Sequence, residues 1–425
     1  MVIPKSYELT AQDAYNYACS KLFADQQLSM VLKFDGKLNK EVLAEAARHT
    51  LDLEPILGCR LNINSGKPFW ERRSDLDEVE ICTAVEAQSL NQEQQTFINE
   101  PMRADEDPLV TLRVFKEREV DNVCVKVNHA ACDAGGLKQY VALLSNIYSK
   151  LFAGEDALVQ PNLGRRDQSQ IFERTKDPSS LAMKRFPTPT WIFPQEIGSE
   201  RLHAFITLSQ AQLQTIKQYA LDKKVTVNDL LLTALYRTFF VLNNTQEGKP
   251  MIMQVSIDLR RYCQNRKAEA ICNLSGALYV ALERKNGEAF GGTLERVSAA
   301  IGKLKKGYPG LESAAGIEYL YSQGYVGLEK YLSESAAMSR KYSLTFPLLS
   351  NFGVLSGTCF GNLHVTNCYL TSPIMYPPGF MLGVTTFNDE MTLSIGYCGG
   401  VNAKRIGEFL EAYIEELPKE LRSDC

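Results

Sequence analysis

The stretch from Val123 to Phe152 constrains the fold more than any other part of the chain. Val123, Val125 and Val127 recur at every second position, the period of a strand with one face buried. From Leu137 to Phe152 the apolar spacing is that of an amphipathic helix, closed by Ala153-Gly154. Between them lie Asn128, His129, Asp133, Gly135 and Gly136, with small residues at Ala130, Ala131 and Ala134. A strand that passes so directly into a helix requires a sheet with helices packed on it, hence an α/β fold. His129 continues the phase of the valines, so it leaves the strand pointing the way the buried face points. Small neighbours leave room beside it. An imidazole at such a corner can serve as a general base if one ring nitrogen keeps a free lone pair. A histidine after an apolar strand can equally be a satisfied core residue, and spacing alone does not separate the two.

The chain has 425 residues, which suits two domains of about 200 each. Both halves mix strand and helix patterns. In the first, Leu28–Phe34 and Cys59–Ile63 read as strands, and Val110–Phe115 and Val120–Val127 as a strand pair. Asn39 caps a helix over Glu41–Leu51. In the second, Leu202–Leu208, Met251–Ile257, Ile271–Leu282, Leu344–Val354, Met381–Asn388 and Met391–Gly396 read as strands. Ser209, and Thr226 or Asn228, cap helices over Gln212–Leu221 and Asp229–Leu242, and Ala403–Leu417 is a closing helix. Between the halves, Pro161 to Pro194 carries five prolines among serines and charges, a texture that suits a crossover. The expected division is an N-terminal lobe over 1–175, carrying the histidine corner, and a C-terminal lobe over 176–425.

Composition excludes several functions. The net charge is −4, so no global positive field exists to hold nucleic acid or an anionic membrane. The 11 cysteines are scattered without a zinc spacing, which suits free thiols in a reducing cytoplasm and no metal. The first ten residues lack a signal-peptide pattern, and no apolar run approaches the ~20 residues of a membrane span. No phosphate loop, GxGxxG or GxSxG occurs. His49 reads as a helix-end cation, and His203 and His364 as strand residues without an evident partner. Lys303–Lys306 reads as a solvated helix face. Tyr7, Tyr15, Tyr17 and Phe23 read as core packing in preference to an acyl pocket.

The segment Asn128–Gly135 resembles the HHxxxDG signature of the CoA-dependent acyltransferase superfamily. That group includes condensation domains, alcohol acetyltransferases, polyketide-associated acyltransferases and plant enzymes with an HxxxD motif. The resemblance extends in order along nearly the whole chain. Residues 25–61 resemble the opening strand and helix, and SIDLRRY (256–262) the buried arginine segment. ICNLSGAL (271–278) resembles the strand after it, SNFGVL (350–355) the second signature, DFGWG in the plant branch, and TLSIGYCGG (392–400) the last strand. Asn128 stands where the signature has its first His, and Ala134 where it has Gly, with Gly135 one place on. Asn351 and Val354 stand where the plant signature has Asp and Trp.

The resemblance implies two chloramphenicol-acetyltransferase-like lobes with mixed sheets and a tunnel between them. It implies a transferase, typical of secondary metabolism, that moves an acyl group from a CoA or carrier-protein thioester to a small alcohol or amine. His129 would be the base at the tunnel floor. Asp133 would turn from the substrate and pair with Arg260 or Arg261, holding the corner. Asn128, Asn351 and Gly353 would line or support the channel, and Asn273 and Ser275 could donate to a developing oxyanion. Nothing would be bound as a cofactor; acyl-CoA or a phosphopantetheine thioester would be co-substrate, and a carrier protein would act in trans. The altered corner also fits a non-catalytic relative that binds an acyl chain or carrier protein, and the wider group a stand-alone peptide-synthesis condensation enzyme.

Overall fold

A computed structural model describes residues 2–63, 67–157, 160–172, 200–399 and 402–419. Two hydrophobic cores define two lobes. The first is built mainly from residues before 150, the second from residues between Leu208 and Leu417. Most of the expected interlobe crossover, with its boundary at 175, lies outside the described residues.

The first lobe is organised on a six-stranded sheet. Its strands run in the spatial order Cys359–Phe360, Leu363–Leu370, Gln27–Phe34, Asp121–Asn128, Val110–Lys116 and Cys82–Glu86. All neighbours are antiparallel except Cys82–Glu86, which runs parallel to Val110–Lys116. Asp121–Asn128 is central and buried along its whole length, which is why its valines dominate the sequence pattern. Helix Lys40–Leu53, capped by Asn39, and helix Ala134–Phe152 cover one face. Two of the six strands come from the second half of the chain. Nothing in their local sequence announces that they leave their own half to complete the first sheet.

The second lobe holds a seven-stranded mixed sheet. Ser275–Glu283 pairs antiparallel with Pro250–Asp258, and Leu348–Val354 lies parallel to both Pro250–Asp258 and Met381–Phe387. Glu390–Cys398 then pairs with Met381–Phe387, Arg201–Leu208 and the short Ile374–Met375. Alternation along these strands sends Val255, Leu278, Val280, Leu349, Leu382 and Leu393 into the second core. The opposite face looks toward the first lobe. There Leu348, Phe352, Met381 and Phe387 join or pack on the first core.

Several expected boundaries move. Helix Ala134–Phe152 starts three residues before the expected Leu137, because Asp133 caps it by accepting from the Gly136 N–H at 2.8 Å. The strand expected from Ile271 begins at Ser275, and the one expected from Leu344 begins at Leu348. Thr226, not Asn228, is the N-cap of helix Val227–Leu242, in a capping box with Asp229. Among the described residues no single helix is long and apolar enough to cross a membrane, and no cluster of three metal-ligating side chains occurs.

Candidate active site

His129 sits one residue beyond the end of strand Asp121–Asn128, and its N–H donates to the Gln26 carbonyl at 2.8 Å. Its ring is half-buried, between the first lobe and the segment that leads into strand Ser275–Glu283. The ring's side-chain neighbours gather at one nitrogen. Asn273 Oδ1 lies 3.1 Å from Nδ1, and Asn16 Nδ2 lies 3.4 Å from the same atom. Asn16 Nδ2 also donates to the His129 carbonyl at 3.1 Å, which gives that amide its acceptor.

The Asn273 amide settles the tautomer. Its Nδ2 donates to the Ala130 carbonyl at 3.0 Å and faces Asp13 Oδ1 at 3.4 Å, so its oxygen must point at the imidazole. An oxygen acceptor at Nδ1 requires the proton there. The lone pair is then on Nε2, the arrangement a general base needs. Burial lowers the His129 pKa from its ordinary 6.5, opposed by the charge of Asp133 and the hydrogen bond to Asn273. The ring is therefore neutral at pH 7 and ready to accept.

Asp133 is buried and does not face the ring nitrogen. Its carboxylate takes two 2.9 Å contacts from the Arg260 guanidinium and accepts from the N–H groups of Gly136 and Leu274. Burial raises its pKa, but the Arg260 charge and these hydrogen bonds outweigh burial and hold it below the ordinary 3.8. Arg260 also donates to the Cys272 carbonyl at 2.9 Å. Arg260 is not on a strand face. The strand ends at Asp258, and residues Leu259–Tyr262 form a 3-10 turn capped by the Asp258 side chain, which accepts from the Arg260 N–H at 3.0 Å. That turn buries Arg260 and leaves Arg261 exposed beside Tyr262. Gly135 is required because a Cβ there would lie 2.7 Å from the Arg260 guanidinium carbon.

A second buried ion pair flanks the same corner and was not legible in the sequence. Asp13 is fully buried and receives Arg166 at 2.7 and 3.1 Å and the Trp70 indole N–H at 2.9 Å. Arg166 also donates to the carbonyls of Ala131 (2.8 Å) and Ile271 (3.0 Å). The corner is thus clamped from both sides, by Arg260 through Asp133 and by Arg166 through Asp13 and Asn273. The capping box at Thr10 and Asp13 marks a helix start in the sequence, but nothing local marks Asp13 as the partner of an arginine 153 positions away.

The remaining candidates sort as follows. Asn128 is buried and braces the turn, donating to the Met102 carbonyl and accepting from the Ala130 N–H, both at 2.9 Å. It supports backbone and does not line a channel. Asn273 is likewise not an oxyanion donor, since its amide protons are taken. Ser275 opens its strand, with its carbonyl tied to Gln12 Nε2 at 3.2 Å. Asn351 is exposed and accepts from the Gly353 N–H at 2.9 Å, inside a bulge where Gly353 has φ of +85°. The carbonyl of Phe352 between them accepts from Lys138 at 3.0 Å, tying the helix after the histidine corner to the second lobe's sheet. His203, expected without a partner, lies between Asn99 and the Ser372 carbonyl.

Between the lobes, the near face of the second sheet carries small and polar residues. Ser256 and Ser350 touch through their hydroxyls at 2.9 Å, and Ser275, Ala277 and Gly383 lie beside them. Ser256, Ser275 and Ala277 keep accessible surface in the middle of the molecule.

No protein-family model and no curated protein matches the sequence. Solved structures do. Polyketide synthase associated protein 5 from Mycobacterium tuberculosis is 13% identical with a TM-score of 0.68, covering 99% of this chain and 100% of its own. This decides the fold. It is the two-lobed fold seen in condensation and acyltransferase structures. Trichothecene 15-O-acetyltransferase from Fusarium sporotrichioides shares this acyltransferase fold at 11% identity and a TM-score of 0.71, over 96% of this chain and 93% of its own. The starter condensation domain of rhizomide synthetase, solved with C8-CoA, does so at 12% and 0.65, over 99% and 98%.

Proposed function

We propose that this protein moves an acyl group from a CoA or carrier-protein thioester onto an alcohol or amine, with His129 as general base. The observation that carries the proposal is the Asn273 amide. Its two acceptors on Nδ2 direct its oxygen onto His129 Nδ1, and this leaves Nε2 as the basic nitrogen of a half-buried residue. Nε2 takes the acceptor's proton as its oxygen or nitrogen attacks the thioester carbonyl. The tetrahedral intermediate then collapses, the C–S bond breaks, and the proton passes to the departing thiolate. The thioester is already activated, so positioning and a base suffice. Asp133 and Arg260 hold the corner and take no proton.

The structural neighbours support acyl transfer as the general chemistry, and one of them was solved with an acyl-CoA. The departure at Asn128 supports this reading too. Its side chain is engaged by backbone, so that position is built for the turn and the departure gives no ground for a non-catalytic relative. The test is thiol release from a panel of acyl-CoAs, with alcohols and amines present and a phosphopantetheinyl carrier protein as a separate donor. His129→Ala should lose about 10²- to 10⁴-fold in rate while its thermal melting stays unchanged. Full activity in that variant would refute the mechanism. Turnover with the carrier thioester alone would identify a condensation-type enzyme.

A further inference from the structure

Two amides meet His129 Nδ1 and favour opposite states of it. Asn273 presents an oxygen at 3.1 Å, which favours a proton on Nδ1. Asn16 presents a nitrogen at 3.4 Å, which favours a lone pair there. The outcome turns on which way the Asn273 amide points. Turned end for end, its oxygen would face the Ala130 carbonyl and the Asp13 carboxylate, acceptor against acceptor. Its N–H groups would then join Asn16 at Nδ1, and the proton would move to Nε2, where it blocks the base. Asn273 is 1% exposed, so bulk solvent cannot replace a lost hydrogen bond. The Ala130 contact is the shorter of the two, at 3.0 Å against 3.4 Å, but the carboxylate is charged and penalises an opposing oxygen more. Asp13 itself is held on every side. Its Oδ2 accepts from Arg166 at 2.7 Å, the Trp70 indole at 2.9 Å and the Thr10 N–H at 3.3 Å. Its Oδ1 accepts from Arg166 at 3.1 Å, which leaves that oxygen one further position, and Asn273 lies at it.

We propose that Asp13 is the positioning residue of the base: acting through Asn273, it holds the proton on His129 Nδ1 and the lone pair on Nε2. The aspartate four places after the histidine does not do this, since Asp133 is turned to Arg260 and two backbone N–H groups. The helix that starts at Asp13's capping box supplies both sides of the contest, Asp13 for the Nδ1 proton and Asn16 against it. Asp13 works at second hand and needs no contact with a substrate. Its kinetic consequence rests on the proposed acyl transfer, whereas the position of the proton is measured without substrate.

The test reads the tautomer by ¹⁵N NMR of protein labelled at its four histidines, above neutral pH, with His129 assigned by its loss in His129→Ala. The unmutated protein should carry Nδ1–H. Asp13→Asn with Arg166→Met removes both charges together, so no buried charge is left uncompensated. The new amide can donate where the carboxylate only accepted, so a turned Asn273 gains a partner. Nε2–H should become the major form, and kcat for thiol release should fall about tenfold or more. Arg166→Lys keeps a cation opposite Asp13 but loses the fork that reaches Ala131 and Ile271. It should melt at lower temperature and keep Nδ1–H. A purely structural ion pair would lower melting in both and move the proton in neither. Should the double variant not fold, Asp13→Asn alone, in which Arg166 retains its two carbonyl acceptors, is read the same way. Nε2–H in the unmutated protein, or Nδ1–H retained once Asp13 is replaced, overturns the proposal. A moved proton with no thiol release by the unmutated protein would keep the role of Asp13 and refute the acyltransferase reading. Thiol release with proton and kcat unchanged in the double variant would do the reverse.

Discussion

At the scale of single residues, the decisive group is an amide. Asn273 fixes the His129 tautomer, and its hydrogen bond also supports the ring's basicity. Asn273→Ala should therefore lower kcat by about tenfold or more, as an oriented base becomes a mixture of tautomers. It should also move the acid limb of the kcat/KM profile to lower pH, because a contribution that raises the pKa is removed. In the unmutated protein burial already depresses the His129 pKa. Activity should accordingly hold through neutrality and fall only on acidification below 6.5, as the ring is protonated. A midpoint above 6.5 would contradict this. The sequence exposed His129 and Asp133 because strand phase and spacing are local. It named Asn273 in another role and hid Asp13 and Arg166, because the meaning of all three lies in partners more than a hundred positions away.

At the scale of elements, the corner is held by the start of helix Ala134–Phe152 and the 3-10 turn Leu259–Tyr262. Asp133 both caps that helix and neutralises Arg260. Removing it should be costly, because a buried guanidinium would lose its counter-charge. Asp133→Ala should destabilise the protein by roughly 3–5 kcal/mol in denaturant unfolding. Gly135→Ala should cost roughly 1–3 kcal/mol by pushing the guanidinium aside, and the loss should shrink when Arg260 is also changed to Met. Independent, additive losses would show that Gly135 and Arg260 are not in contact. The helix itself was legible from its periodicity. Its true start was not, since a capping aspartate and a catalytic-loop aspartate look alike until the N–H it binds is known. Arg260 and Arg261 were both named through the resemblance of SIDLRRY, and the choice between them falls to the turn that buries Arg260, which depends on the Asp258 side chain.

At the scale of the molecule, the lobes are joined by the Lys138 bond to the Phe352 carbonyl, by strands Cys359–Phe360 and Leu363–Leu370, and by Asp25. Asp25 exchanges backbone and side-chain hydrogen bonds with Ile374 of the second sheet at 3.0 and 2.9 Å. Its other carboxyl oxygen is buried with no partner, and burial raises its pKa from 3.8 to about 7. The folded state thus holds a proton that the unfolded chain releases near pH 4. Stability from this site is present at low pH and lost as pH rises through about 7. Asp25→Asn should raise stability by on the order of 2–4 kcal/mol at pH 8 and change little at pH 4, read by denaturant unfolding at both values. A gain of equal size at both would refute the assignment.

Local chemistry by itself determined the strand, the histidine corner, most helix caps and the α/β character of both halves, because side-chain period and capping act over a few residues. Only the tertiary structure decided which arginine is buried, which asparagine orients the imidazole, and that residues 359–370 cross into the first sheet. Each of these depends on what another segment places opposite, and burial and hydrogen-bond satisfaction are properties of the pair, not of either sequence alone.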